Sequence, residues 1–188
     1  MPGTVSLKSV FLVSILAGLM LSCGSSSKIS DGKSKQLDDL VSSKHFEILS
    51  DRAFPLATSS LNSISNAGLL PPGSSAGQIS LIGNSNYLKV LGDSVAVYLP
   101  YYGERQMGGG YDSDGAGIEF EGIPTDVEIT KDKDKQRYDI RFKMKDDSEN
   151  FNVTITLFPD LTSMINVNSS QRFPIRYSGA VKAIPKDE

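Results

Sequence analysis

Between Tyr138 and Leu157 the chain alternates apolar and polar residues twice over. Tyr138, Ile140, Phe142 and Met144 interleave with Asp139, Arg141, Lys143 and Lys145. Phe151, Val153, Ile155 and Leu157 then interleave with Asn152, Thr154 and Thr156. A period of two puts one set on each face of a pleated strand, whereas a helix would scatter both sets around its axis. Asp146-Asp147-Ser148 supplies the turn between them. The region therefore predicts two half-buried strands joined tightly, hence antiparallel.

The same pattern extends in both directions. Phe46 to Phe54 reads as the first strand, stopped by Pro55, which has no N–H to give a ladder. Ala57 to Gln78 is rich in Ser, Asn, Gly and Pro and predicts a long loop, with Ile79 to Ile82 pairing weakly after it. Tyr87 to Leu91 and Ser94 to Leu99 flank Gly92-Asp93, the signature of a hairpin. Pro100 ends that ladder, and Tyr101-Tyr102-Gly103 forms a corner. Gly108 to Gly110, with Gly115 and Gly117, marks an irregular loop before Ile118 and Phe120 restore the alternation, with Glu119 and Glu121 on the wet face.

Val127 and Ile129 begin the next strand, and Lys131 to Lys135 is a mixed-sign, solvated tip. Ile165 and Val167 lie on another strand. Phe173, Ile175 and Tyr177 share one face of the next, with Arg172 and Arg176 on its other face, and Val181 to Ile184 closes the sheet. About nine short strands with turns at this spacing indicate an all-β, mainly antiparallel domain, a sandwich or a small barrel. The one helical pattern is Ser34 to Lys44, where Leu37, Leu40 and Val41 stand at i, i+3 and i+4.

The N-terminus has a different character. Lys8 precedes the apolar run Val10 to Leu21, which is shorter than the roughly 20 residues of a membrane span, and Cys23 follows at once. Met20-Leu21-Ser22-Cys23 resembles a lipobox, in which the thiol takes a diacylglyceryl group, cleavage follows Ser22 and the freed amine is acylated. Several acyl chains on one residue anchor firmly where a single chain does not. Three segments result: a lipoprotein signal peptide over 1–22, a flexible Ser/Gly/Lys tether over 23–35, and a single antiparallel β domain over 36–188. With one cysteine the domain has no internal disulfide and is stabilised by its core.

Three runs carry a family resemblance: Asn86–Val95 (NYLKVLGDSV), Tyr98–Gly103 (YLPYYG) and Gly115–Gly122 (GAGIEFEG), with Pro174–Gly179 (PIRYSG) near the end. Over about Phe46 to Ala183 the chain resembles the Bacteroidetes lipoprotein family known as domain of unknown function 4251. After Gly103 that family usually continues with one basic residue and then a small uncharged run, where this chain has Glu104-Arg105-Gln106-Met107 and three glycines. The resemblance implies location and fold, and no activity. It places the protein in the cell envelope, lipid-anchored to the outer membrane. In such bacteria an acidic cluster after the lipidated cysteine accompanies export to the surface. Its absence after Cys23 implies a domain facing the periplasm.

Chemistry is sparsely signalled. Charged residues are 22% of the chain, the net charge is −3 and the isoelectric point is near 5.2, which excludes a nucleic-acid partner. The glycine run lacks the Gly-Lys-Ser/Thr of a phosphate loop. Asp112-Ser113-Asp114-Gly115 imitates part of a calcium loop but misses its first ligand, and no metal or cofactor is expected. No catalytic residue is assigned. The candidate ligand-binding residues are Tyr98, Tyr101, Tyr102, Arg105 and Tyr111, since tyrosines give contact area with a polar tip. The expected protein is a non-enzymatic envelope lipoprotein that binds or scaffolds an envelope ligand or protein. The alternatives are a glycan hydrolase using Glu104, Asp112, Asp114 and Glu119, and a lipid-carrying barrel.

Overall fold

The computed structural model describes residues 31–106, 117–146 and 148–185. Among these residues two helices and ten strands follow in order: α1 (Asp31–Ser43), β1 (His45–Pro55), α2 (Ser59–Asn66), β2 (Ile79–Ser80), β3 (Tyr87–Leu91), β4 (Ser94–Pro100), β5 (Gly117–Gly122), β6 (Thr125–Asp132), β7 (Arg137–Asp146), β8 (Glu149–Leu157), β9 (Thr162–Ser169) and β10 (Ile175–Ala183). Nine strands form one antiparallel sheet in the order β5-β4-β3-β1-β10-β9-β8-β7-β6, and the short β2 pairs with β1 off that path. The sheet curls into a half-barrel instead of splitting into two layers, so the sandwich alternative is not the one adopted. Right-handed twist accumulated over this many strands brings the two ends of the sheet towards each other. Phe120 of β5 and Phe151 of β8 meet across the interior with ring centroids 5.0 Å apart.

The alternation that dominates the sequence is what fills this interior. Along β8 every second residue from Glu149 to Leu157 is buried, and β7 contributes Ile140, Phe142 and Met144 to the same core. The β3–β4 hairpin turns on Gly92, whose φ of 68° suits the first central position of a two-residue turn, with Leu91 opposite Ser94. β1 lies centrally, between β3 and β10, and its register with β10 shifts between Ser50 and Arg52. Asn86 supports that irregularity. Its side-chain oxygen accepts from Ser50 N at 2.8 Å and its amide donates to Ser50 O at 2.9 Å.

The helix at the start is where the periodicity puts it, but it begins at Asp31, inside the stretch expected to be tether. Leu37, Leu40 and Val41 all enter the core. A polar contact fixes the helix across the sheet: Lys131 Nζ lies 2.6 and 2.8 Å from the two carboxylate oxygens of Asp38, and Tyr138 donates its hydroxyl to the same carboxylate at 2.8 Å. Lys131 is thus a strand residue with a structural partner and not part of a solvated tip. Burial, then the bond to Asp38, pushes the Tyr138 hydroxyl up to about 12, while Lys131 holds Asp38 below the usual carboxylate range. Because Leu37 is completely buried, Leu37→Ala is expected to cost about 2–3 kcal/mol, read as a lower urea midpoint at unchanged slope.

Further expectations are corrected. The stretch Ala57 to Gln78 is not one long loop, since Ser59–Asn66 is helical. Thr58 is its N-cap and accepts from Leu61 N at 3.2 Å, while Leu61 is the residue the helix buries. A cap followed by Leu61 and Ile64 three apart was the available signal, outweighed by serine content. The strand expected from Phe173 starts at Ile175 and runs unbroken to Ala183, absorbing the separate closing strand. Arg172 precedes it and is buried, not on a wet face.

Candidate functional site

The aromatic corner can now be built from its residues. Tyr98 on β4 points away from the core, opposite Glu119, and its ring lies 6.0 Å from that of Tyr87. The chain then leaves the sheet at Pro100, whose carbonyl accepts from the hydroxyl of the wholly buried Tyr177 at 2.8 Å. Burial pushes that hydroxyl well above its ordinary pKa, so it stays protonated and donates. Tyr177→Phe removes one buried bond and orphans a carbonyl; the expected loss is about 1–2 kcal/mol in denaturant midpoint, with the fold retained.

Tyr101 turns inward. Its hydroxyl is within 3.0 Å of Glu104 O and 3.1 Å of Phe173 O, and the Arg172 guanidinium lies 5.2 Å from its ring centroid. Gly103 folds back so closely that any Cβ there would strike the Tyr101 ring and hydroxyl. That is the physical content of the YLPYYG run. Tyr102 accepts from Asn84 Nδ2 at 3.2 Å and, with Leu61, Ile64 and Leu69, borders a hollow of about 300 Å³ between α2 and the corner.

Arg105 continues into a second arrangement. Residues 104–106 run against 171–173, with Gln106 N donating to Gln171 O at 2.7 Å and Arg105 bridging Arg172. The Arg105 guanidinium meets Glu149 at 3.2 Å, and Arg172 Nε meets both oxygens of the same carboxylate at 2.9 and 3.2 Å. Ser169 donates to Glu149 as well, and Arg172 Nη1 donates to Gly117 O at 2.6 Å. Glu149 and Arg172 are each 6% exposed. Burial alone would raise the Glu149 carboxyl, but the bonds from Ser169, Arg172 and Arg105 together hold it below the usual range. It is an ionised, fully engaged carboxylate, suited to holding β5, β8 and the β9–β10 connection together. Sequence reasoning missed this residue. The signal was there, because period two carried back from Phe151 places Glu149 on the buried face.

The four candidate residues that are described therefore do not converge. Tyr98 faces outward, Tyr101 and Tyr102 flank the hollow beside α2, Arg105 is spent on Glu149, and Tyr111 lies outside the described residues. Of the acidic set, Glu119 sits on the outer face of β5, and Asp112 and Asp114 lie outside the described residues, as do the Gly108–Gly110 run and Cys23. Among the described residues no group of three or more His, Cys, Asp or Glu side chains is placed to hold a metal ion.

A different concavity opens at the mouth of the half-barrel, with a volume of about 350 Å³. α1, the β3–β4 turn and the β6–β7 hairpin form its walls. Its floor is Phe46, Ile140 and Phe142, all buried, and its rim is Ile123, Val127 and Ile129, which are 73, 54 and 43% exposed. Lys44 and Asp93 stand at the edge as an ion pair, 2.8 Å apart. β6 is the last strand of the sheet, so Val127 and Ile129 turn the same way as the buried Ile140 yet have no strand to cover them. An apolar hollow in the mouth of a barrel-like sheet is a common place for a small-molecule site.

Comparison with known proteins agrees with this architecture. The crystal structure of a DUF4251 family protein from Bacteroides eggerthii superposes with a TM-score of 0.54 at 12% identity, covering 81% of this chain and 88% of that one. At that identity the likeness speaks for the fold. No curated protein matches the chain. Residues 29–181 match the family model described as "Domain of unknown function (DUF4251)". With most of its length inside that match, from the start of α1 to the last strand, the chain belongs to the DUF4251 family.

Proposed function

We propose that the protein is a lipid-anchored envelope protein whose half-barrel binds an apolar guest and does no chemistry on it. In this reading Met1–Ser22 is removed, Cys23 carries acyl chains, and the domain hangs from the outer membrane into the periplasm. The lipobox-like Met20–Cys23 run supports the anchor, and the family's Bacteroides member is in keeping with it. The observation that carries the binding reading is the mouth cavity, with apolar walls graded from a buried floor to an exposed rim. A sheet that merely needed stability would be expected to close over Val127 and Ile129, since exposed contiguous apolar surface is a liability. Tyr101 is assigned to structure, because its hydroxyl is bound to the backbone carbonyls of Glu104 and Phe173.

Two measurements test this. Cys23→Ala should move the protein from the membrane to the soluble fraction, and a variant that still sediments with membranes would refute the anchor. Organic extraction of purified protein should release an apolar molecule that Val127→Trp, which fills the rim, no longer retains. Equal recovery from both proteins would remove the cavity from the account.

A further inference from the structure

We infer that the guest in the mouth cavity is a single acyl chain ending in a carboxylate, with the head group taken by Lys44. The inference rests on the binding reading above and narrows it. Three observations lead to it. The cavity, at about 350 Å³, is at the small end of the range for ligand sites, roughly 300–1,000 Å³, which fits one chain and not a two-chain phospholipid. Its lining from Phe46 through Ile140 to Val127 is hydrocarbon, so the body of the ligand is apolar. Among the described residues that line it the one cation is Lys44, and the partner it holds is already a carboxylate.

That pair is built to exchange. Asp93 sits at the tip of the β3–β4 turn with its side chain 82% exposed, and the Lys44 side chain is 50% exposed. An exposed pair of this kind contributes little to stability, so an incoming carboxylate displaces Asp93 at small cost. The backbone that presents Lys44 is fixed from both sides. Lys44 N donates to Val41 O at 3.2 Å at the end of α1, and Lys44 O accepts from Gly92 N at 2.7 Å. The residue adopts a positive φ of 49°, an uncommon conformation for a lysine, and it places the ammonium beside the opening between α1 and the β3–β4 turn. The acid's chain then runs inward past Val90 towards Phe142, while its head stays at the rim in water.

The test is calorimetric titration of the full chain carrying Cys23→Ala with dodecanoate and, separately, with dodecanol. Binding of dodecanoate with a negative heat-capacity change is expected. Lys44→Met should weaken it roughly three- to fivefold, the scale of an exposed ion pair, and Asp93→Asn should strengthen it by a similar factor because Lys44 is freed. Dodecanol should respond to neither substitution, and Val127→Trp should abolish binding of both. Dodecanoate and dodecanol binding equally, with both insensitive to position 44, would overturn the carboxylate assignment and leave the apolar site standing. Failure of both to bind would overturn the inference and the cavity reading together.

Discussion

Glu149→Ala is expected to destabilise the domain by about 3–5 kcal/mol, because it leaves Arg172 charged, buried and without its carboxylate. Removing one member of a buried pair costs far more than the pair is worth, since desolvation of the survivor is no longer offset. The corollary separates this explanation from simple loss of packing. Replacing both residues with methionine should cost less than the single alanine change, and a double-mutant cycle in denaturant reads the difference. An additive cycle would show that the two side chains are not coupled.

The same residue sets an acid limit. Its folded carboxyl lies below the unfolded value, which is near 4.3 for glutamate. The folded state therefore binds fewer protons than the unfolded state through that window. The stabilisation is complete above the unfolded value and is lost as pH falls through the folded one. Glu149→Gln should flatten the acid limb of the stability curve. An unchanged limb would assign acid sensitivity to other carboxylates, with Asp38 the first to examine since Lys131 lowers it too.

Gly179→Ala is expected to be nearly as damaging, roughly 3–5 kcal/mol, although it adds one methyl group. Gly179 stands opposite Ser50 where the β1–β10 register shifts, and a Cβ there would run into Leu49 O and lie 2.7 Å from Ser50 Cα. Those are backbone atoms, which cannot rotate aside, so the central ladder must open. The variant should show a lower thermal midpoint and faster amide exchange in β1 and β10 than in β7 and β8. Gly68→Ala is the control. That glycine has open space around it and only its φ of 68° to lose, so its cost should be about 1 kcal/mol.

Legibility in the sequence followed the strength of periodicity. β7 and β8 alternate without interruption, and both appear where period two places them. α1 was readable from Leu37, Leu40 and Val41. α2 was hidden because its serines and asparagines read as loop, and one buried leucine gives no amphipathic stripe. The choice between a sandwich and a barrel-like single sheet was left open, since alternation specifies a buried face and says nothing of whether a second sheet or the same one covers it. The Tyr101 corner stands out in the sequence as a run of tyrosines, but a sequence shows their hydroxyls without showing that the Glu104 and Phe173 carbonyls receive the one on Tyr101. The mouth cavity depends on where β6 ends the sheet, which is topology and not composition.

The place of β1 in the sheet has a kinetic meaning. It is the earliest strand to be made, yet it is sewn to β10, so Phe46 must wait for Ala183. Nothing before the final strand can complete the middle of the sheet, and so distant a pairing slows folding to the millisecond-to-second range. The β6 to β9 meander can pair as it is made, but the central ladder stays open until translation is nearly over.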